Sequence, residues 1–555
     1  MAHGLGGAID RVTDRVVAGL RRGPDQFELL VHVFRHRRLL VALDAGQQRP
    51  CPAPWGTGSR PTHLSPGGPH ESSYPIAPPA PSSPTVEHRK SLNITLWLVA
   101  IGLFMQTLDT TIVNTALPAM AASLGESPLR MQSVVISYAL TMAVLIPASG
   151  WLADRFGTRK VYFSAIVLFT LGSVLCALSQ NLSQLVTSRV LQGAGGAMLM
   201  PVGRLVILRS FPQERLLPAL SFVAIPAMVG PMIGPVLGGW LSEQFSWHWV
   251  FLINIPVGLA GAIATRTFMI DKREAQPASF DGVGYGLLAF GMAAISLSLD
   301  GFSGRATGHA TVVLMLVFGL ISIVTYWLRA GRQAAPLFSP ALFQIHTFTI
   351  GLLGNLFARL GSSGMPFLLP LLLQVSLGYS PTHSGLMMLP VAAAGMLSKR
   401  IATSLITRYG YRHVLVVNTV LVGLTISSFA LVDASHPVWA QVVLMAFFGA
   451  VNSLQFTAMN TLTLKDLGQQ GASSGNSILS MMQMLAISLS VTVAGGILAA
   501  FSHFVDHGAP EDALAAFHAT FICIGLLTAA SAWIFWQLSP DVPRESKKDD
   551  SLDLG

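Results

Sequence analysis

Charge is scarce in this 555-residue chain. Asp, Glu, Lys and Arg together make up 11% of it, less than half of the about 25% that an ordinary soluble domain carries. With 52% hydrophobic residues and a mean hydropathy of +0.57, the chain reads as an integral membrane protein. Cysteine is almost absent as well. Cys51 lies in a polar stretch, while Cys176 and Cys523 fall in distant apolar segments, which excludes a disulfide framework and a thiolate metal site. No G-x-x-x-x-G-K phosphate loop occurs, so ATP drive is not expected. The histidines are scattered and no nucleophile stands beside a base in a recognisable motif, so neither an enzyme nor a cofactor or metal is expected. The formal net charge of +8 could suit nucleic acid, but the cations lie mainly in short loops between apolar runs, which argues against that partner.

What is present divides the chain. Residues 1–90 are basic, then rich in Pro, Gly and Ser. Val12, Val16, Val17 and Leu20 recur at roughly helical spacing before the basic run His32 to Arg38. That pattern fits a mobile tail, a surface amphipathic helix, a targeting sequence, or translation begun too far upstream. The tract from Gly46 to Pro84 is expected to stay disordered, because it cannot bury enough apolar surface to offset its ordering entropy. Beyond Glu87 come about fourteen apolar runs of roughly 20 residues, the length a helix needs to cross about 30 Å of hydrocarbon.

Loop charge alternates between these runs. One set of loops holds Arg155, Arg159 and Lys160, then Arg209 and Arg215, Lys272 and Arg273, Arg329 and Arg332, Arg408 and Arg412, and Lys465; the other set holds little beyond Arg130 and Arg305. By the positive-inside rule both termini are expected in the cytoplasm.

Within the first run, Asp109 is a carboxylate midway along an apolar segment, followed by Asn114. A charge at the bilayer centre costs about 2.5–3.5 kcal/mol on insertion scales, so it is expected to face a cavity or a partner. The loop after the second run reads Gly150-Trp151-Leu152-Ala153-Asp154-Arg155-Phe156-Gly157-Thr158-Arg159-Lys160. Its glycines let helix ends approach, and Asp154 with the flanking cations can form a charged latch. This order of residues resembles the signature loop of the major facilitator superfamily. A weaker copy, with Arg408, Gly410 and Arg412, follows the tenth run, where Thr407 stands in place of the acid. An echo about 250 residues on is what two parallel halves of common origin leave.

Further motifs extend the resemblance. Arg189-Val190-Leu191-Gln192-Gly193 in the fourth run is similar to the family's buried-arginine motif. Arg204 follows in the same helix, about 60° around the axis from Arg189, so both could face one cavity; snorkelling to the interface is the alternative. The fifth run holds Gly230, Pro231, Gly234, Pro235, Gly238 and Gly239. Glycines at intervals of four make a close-packing face, and the prolines offer places to bend. The doubled Gly-Pro resembles the antiporter motif of exporters. Together with Asp109 and the span count, it is similar to the fourteen-span drug:proton antiporter branch typified by EmrB and QacA.

That resemblance implies an all-α integral membrane protein of the major facilitator fold. Residues 91–270 and 341–540 would each form a six-helix bundle, residues 271–340 two additional central helices, and residues 541–555 a cytoplasmic tail. It implies a proton-coupled antiporter of the inner membrane that exports small organic molecules, with the lipid bilayer as its surroundings and a monomer as its working unit. A non-transporting membrane sensor is the less favoured reading. Asp109 would carry the proton. Asn355 and Arg359 in the ninth run lie within about one turn of the position matching Asp109, so Arg359 is expected as its counterpart across the cavity. Cations outnumber acids in the spans: Arg189, Arg204, Arg359, Lys399 and Arg400 against Asp109 and, at a span end, Asp300. Such a cavity would suit an organic anion or a metal-organic acid complex better than a lipophilic cation.

Overall fold

The computed structural model describes residues 86–271, 273–274, 279–303, 309–333, 335–433, 435–505 and 510–539. The expectations for the N-terminal extension as far as residue 85 and for the tail 541–555 lie outside these residues. Among the described residues every regular element is helical. A bilayer dictates this, because a backbone in hydrocarbon must satisfy its own N–H and C=O groups.

Among the described residues, thirteen helices are long and apolar enough to cross a membrane. They are α1 (Val86–Leu124), α2 (Gln132–Phe156), α3 (Thr158–Ala177), α4 (Leu182–Ser210), α5 (Gln213–Gln244), α6 (Trp249–Phe268), α7 (Gly282–Ser303) and α8 (His309–Ala330), followed by five more. The ninth, α9, spans His346–Ser376. The next is a 51-residue segment, Pro381–Leu431. It is broken at Gly410, whose φ of 76° takes it out of helical geometry. We divide it there into α10 (381–409) and α11 (411–431), which brings the number of crossings to the expected fourteen. The chain ends with α12 (Val438–Lys465), α13 (Gln469–Val505) and α14 (Pro510–Ala530, extended by Ala532–Trp536).

Gly157, the matching glycine of the first signature loop, also has positive φ, at 94°. Both loops therefore turn through a conformation that L side chains adopt only with strain. Helices α1–α6 pack among themselves, as do α9–α14, and the halves meet along α2 against α13 and α5 against α10. These two seams are equivalents of each other under the internal repeat. The inserted α7 stands against α2 and α13, with Ser296 and Ser488 hydroxyls 2.9 Å apart and Gln132 Nε2 donating to Asp300 Oδ1 at 2.9 Å.

The end of the bundle away from the signature loops is closed by a core shared between halves. Ile112, Leu117 and Met120 of α1 join Phe367 and Leu371 of α9 and Phe448 of α12. A Cβ on Gly239 would strike the Pro381 carbonyl, and one on Gly385 would strike that of Pro235, so α5 and α10 cross backbone to backbone. The Thr382 N–H donates to Glu243 (2.8 Å), and Gln374 Nε2 donates to the Thr115 carbonyl (2.9 Å). The loop end, by contrast, holds two cavities of about 820 and 720 Å³.

Candidate functional site

Asp109 is fully buried within the first half. Its Oδ2 accepts from Arg189 Nη1 at 2.7 Å, and its Oδ1 accepts from Gln192 Nε2 at 2.8 Å and Asn254 Nδ2 at 3.2 Å. Residues 189 and 192 lie one turn apart, so a single face of α4 supplies two of the three donors. Ser173 of α3 accepts from Gln192 at 2.8 Å and from Asn254 at 3.4 Å. Arg189 also donates through Nε to the Val134 carbonyl (3.3 Å), and its guanidinium lies 4.1 Å from the centroid of the Tyr138 ring. Five helices thus build one closed polar network around a single carboxylate. Desolvating such a pair is costly, and only this density of hydrogen bonds makes it tolerable.

The opposite faces of α1 are differently employed. Thr107, Thr111 and Thr115, four residues apart, lie against Gly230, Gly234 and Gly238 of α5, and a Cβ on any of these glycines would meet a threonine hydroxyl. Thr115 Oγ1 donates to the Pro235 carbonyl at 3.1 Å. The antiporter-like glycines therefore seat the helix that carries Asp109.

Thr107 also lines a cavity of about 820 Å³ between the halves, nearer the signature loops. Its charged lining residues are Arg204 of α4 and Lys399 of α10. A second cavity of about 720 Å³, walled by α2, α4, α13 and the approach to α7, shares Arg204 and Asn476 with the first.

Several expectations need correction. The partner of Asp109 is Arg189, not Arg359. In α9 the Arg359 Nε donates to Asn355 Oδ1 (3.1 Å), its guanidinium lies 4.4 Å from the Phe456 ring centroid, and its buried Nη2 has no hydrogen-bond partner. Asn355 in turn donates to Thr463 Oγ1 at 3.3 Å. Arg189 and Arg204 do not share a cavity either, because fifteen residues of helix separate them by about 22 Å along the axis. Asn114 is buried but stands outside the Asp109 network, bonding weakly to the Thr110 carbonyl (3.4 Å).

The latch is also assembled differently. Asp154 pairs with Arg209 of α4 at 2.5 Å, and Arg209 approaches Glu274 at 3.7 Å. Asp271 accepts from the Arg159 backbone N–H at 3.1 Å and lies against Gly157, capping α3 from just beyond the end of the neighbouring α6. Gly150 has open space around it, so close approach is not what places a glycine there, and Arg155 is exposed. In the second copy, Arg408 lies over Tyr409 and Arg412 over Trp536, at 5.4 Å and 4.8 Å from the ring centroids. The residues not assigned to the site from sequence are Tyr138, Ser173, Gln192, Arg209, Asn254, Asp271 and Phe456. Gln192 alone had a local signal, as a polar residue on the helix face of Arg189.

Comparison with known proteins identifies the family. The Major Facilitator Superfamily pattern matches residues 99–491 and 351–554. The chain belongs to that superfamily. It is 50% identical over 460 residues to a protein of Serratia proteamaculans named "Putative multidrug resistance protein MdtD", covering 82% of this chain and 95% of that one. The protein of the same name from Pectobacterium atrosepticum is 48% identical over 458 residues, covering 82% and 98%. Among solved structures, a D-xylose–proton symporter superposes with a TM-score of 0.58 at 14% identity, over 81% of this chain and 98% of that one. The superfamily fold explains the paired bundles and the repeated seams, and this member is a multi-pass membrane protein.

Proposed function

We propose that this chain is a proton-coupled antiporter of the inner membrane that exports small organic molecules, with both termini in the cytoplasm. The name its relatives carry supports multidrug-type efflux, and the alternation of loop charge supports the orientation. One observation carries the mechanism. Asp109 and the cavity-lining Thr107 lie two residues apart on α1, one in a sealed polar network and the other facing the space between the halves. Protonation of Asp109 removes the charge that holds Arg189, Gln192 and Asn254, and frees α1 to shift against α4 and α6. Because the threonine stripe of α1 rides on α5, and α5 forms the closing seam with α10, that shift reaches the gate. In this reading the conformation at hand is open toward the cytoplasm, with the carboxylate ionised and paired.

Substrate and protons are the only consumables, and the monomer is the working unit. The test is substrate-dependent proton flux in inside-out vesicles. Asp109→Asn should abolish it, and full gradient-driven activity in that variant refutes the reading. A second reading, export of an organic anion or a metal-organic acid complex, is favoured by the two cations and by the lack of a carboxylate among the cavity's described lining residues.

A further inference from the structure

We infer that the central cavity binds an amphiphilic organic anion, whose acid group bridges the two halves between Arg204 and Lys399. The inference rests on the transport reading above and names its substrate class. Arg204 comes from α4 of the first half and Lys399 from α10 of the second, and both side chains are exposed on the cavity wall. The other polar residues described on this wall are Thr107, Asn452, Ser453 and Asn476, and the acids of the adjoining cavity that shares Arg204, Asp154 and Asp281, are paired with Arg209 and Arg329 instead. The remainder of the wall is apolar and includes Met200, Met228, Met232 and Met396. Methionines repack around differently shaped apolar bodies, which suits a ring or short chain attached to the acid. A strongly hydrophilic polyacid would leave this wall unused, and a lipophilic cation would meet like charge.

The placement of the two cations also says what the ligand does. Closing the loop end brings Arg204 and Lys399 together in a medium of low dielectric, where like charges repel strongly. An anion held between them removes that repulsion, so closure is favoured when substrate is bound and opposed when the cavity is empty. Empty cycling, which would leak protons, is thereby suppressed. The charge arithmetic follows. A monoanion moving out and one proton moving in each transfer one positive charge inward, so the membrane potential drives both legs.

The experiment uses the full chain in inside-out vesicles with two probes of the same ring body, naphthalene-2-sulfonate and 2-naphthylmethylammonium. Sulfonate should be concentrated in the lumen by a proton gradient, and also by a lumen-positive potassium diffusion potential clamped with valinomycin. Arg204→Gln and Lys399→Gln should each raise its half-saturating concentration about tenfold, the effect of losing one charge-assisted bond. Arg204→Lys, which keeps the charge, should recover most of the loss. Accumulation of the ammonium probe without the sulfonate overturns this inference while leaving proton exchange intact. Sulfonate transport unchanged in both glutamine variants overturns the assignment to Arg204 and Lys399. Failure of both probes to move, with no substrate-dependent proton flux, overturns the inference and the transport reading together.

Discussion

At the scale of single residues, two buried arginines predict opposite outcomes. Arg189 has its counter-ion at 2.7 Å, so Asp109→Asn leaves a cation buried and unpaired. We expect a loss of about 3–5 kcal/mol in stability, read as a lower melting temperature in detergent. The double variant Asp109→Asn/Arg189→Gln should recover most of that stability while remaining inactive in proton exchange; a double variant as unstable as the single one refutes the pairing. Arg359 is different, because no acid is left behind when it is removed. Arg359→Met should therefore change stability by less than about 1 kcal/mol. A large loss there would mean that its contact with Phe456 and its bond to Asn355 hold the second half together.

At the scale of elements, α5 is the moving part most open to test. Its Gly239 abuts the Pro381 carbonyl of α10, and the atoms a Cβ there would meet are all backbone, so no side chain can swing aside. Gly239→Ala forces a methyl group into this contact, at a cost of about 1–3 kcal/mol. Such a cost shifts a two-state equilibrium about 5- to 150-fold toward the form in which the seam is parted. Maleimide labelling of a cysteine at position 374 should rise accordingly, and labelling equal to that of the parent places the seam outside the gate. The latch is weaker, since Asp154 and Arg209 are both partly exposed. Asp154→Ala should cost at most about 1 kcal/mol of stability. Asp271→Ala, which uncaps α3 behind its positive-φ glycine, should cost about 1 kcal/mol, with melting temperatures as the measure in both cases.

At the scale of the whole molecule, the halves meet along two equivalent seams, yet only α2 against α13 is covered by the inserted helices. The insertion is bound to that seam through Ser296 on Ser488 and Asp300 on Gln132. Helix α6 ends and α9 begins at the loop side, so a short linker can replace residues 279–333. Without them, two inter-helix hydrogen bonds worth about 1 kcal/mol each are lost along with apolar contact. The excised protein should fold with a lower melting temperature; an unchanged melting curve would show that the pair does not brace the seam. The inserted helices were legible as lengths and hydropathy, because each crossing must satisfy its own backbone. Their position over one seam was not, because lipid-facing and protein-facing apolar residues look alike in composition.

The sequence by itself determined the class, the number of crossings and the repeat. A bilayer demands roughly 20 apolar residues per helix, and the two signature loops carry their glycine and arginines at the same spacing. It also marked Asp109, since an intramembrane carboxylate stands out against apolar neighbours. Tertiary structure alone decided what that acid touches. Arg189 lies 80 residues away and Asn254 lies 145 away, and nothing in a helix's own period says how it is rotated toward a neighbour. The same freedom of rotation separated the spans' cations into three roles: Arg189 pairs with the acid, Arg359 stacks behind Phe456, and Arg204 and Lys399 face the cavity. Their surplus was countable in sequence, but which of them a substrate would meet depended on the packing of fourteen helices.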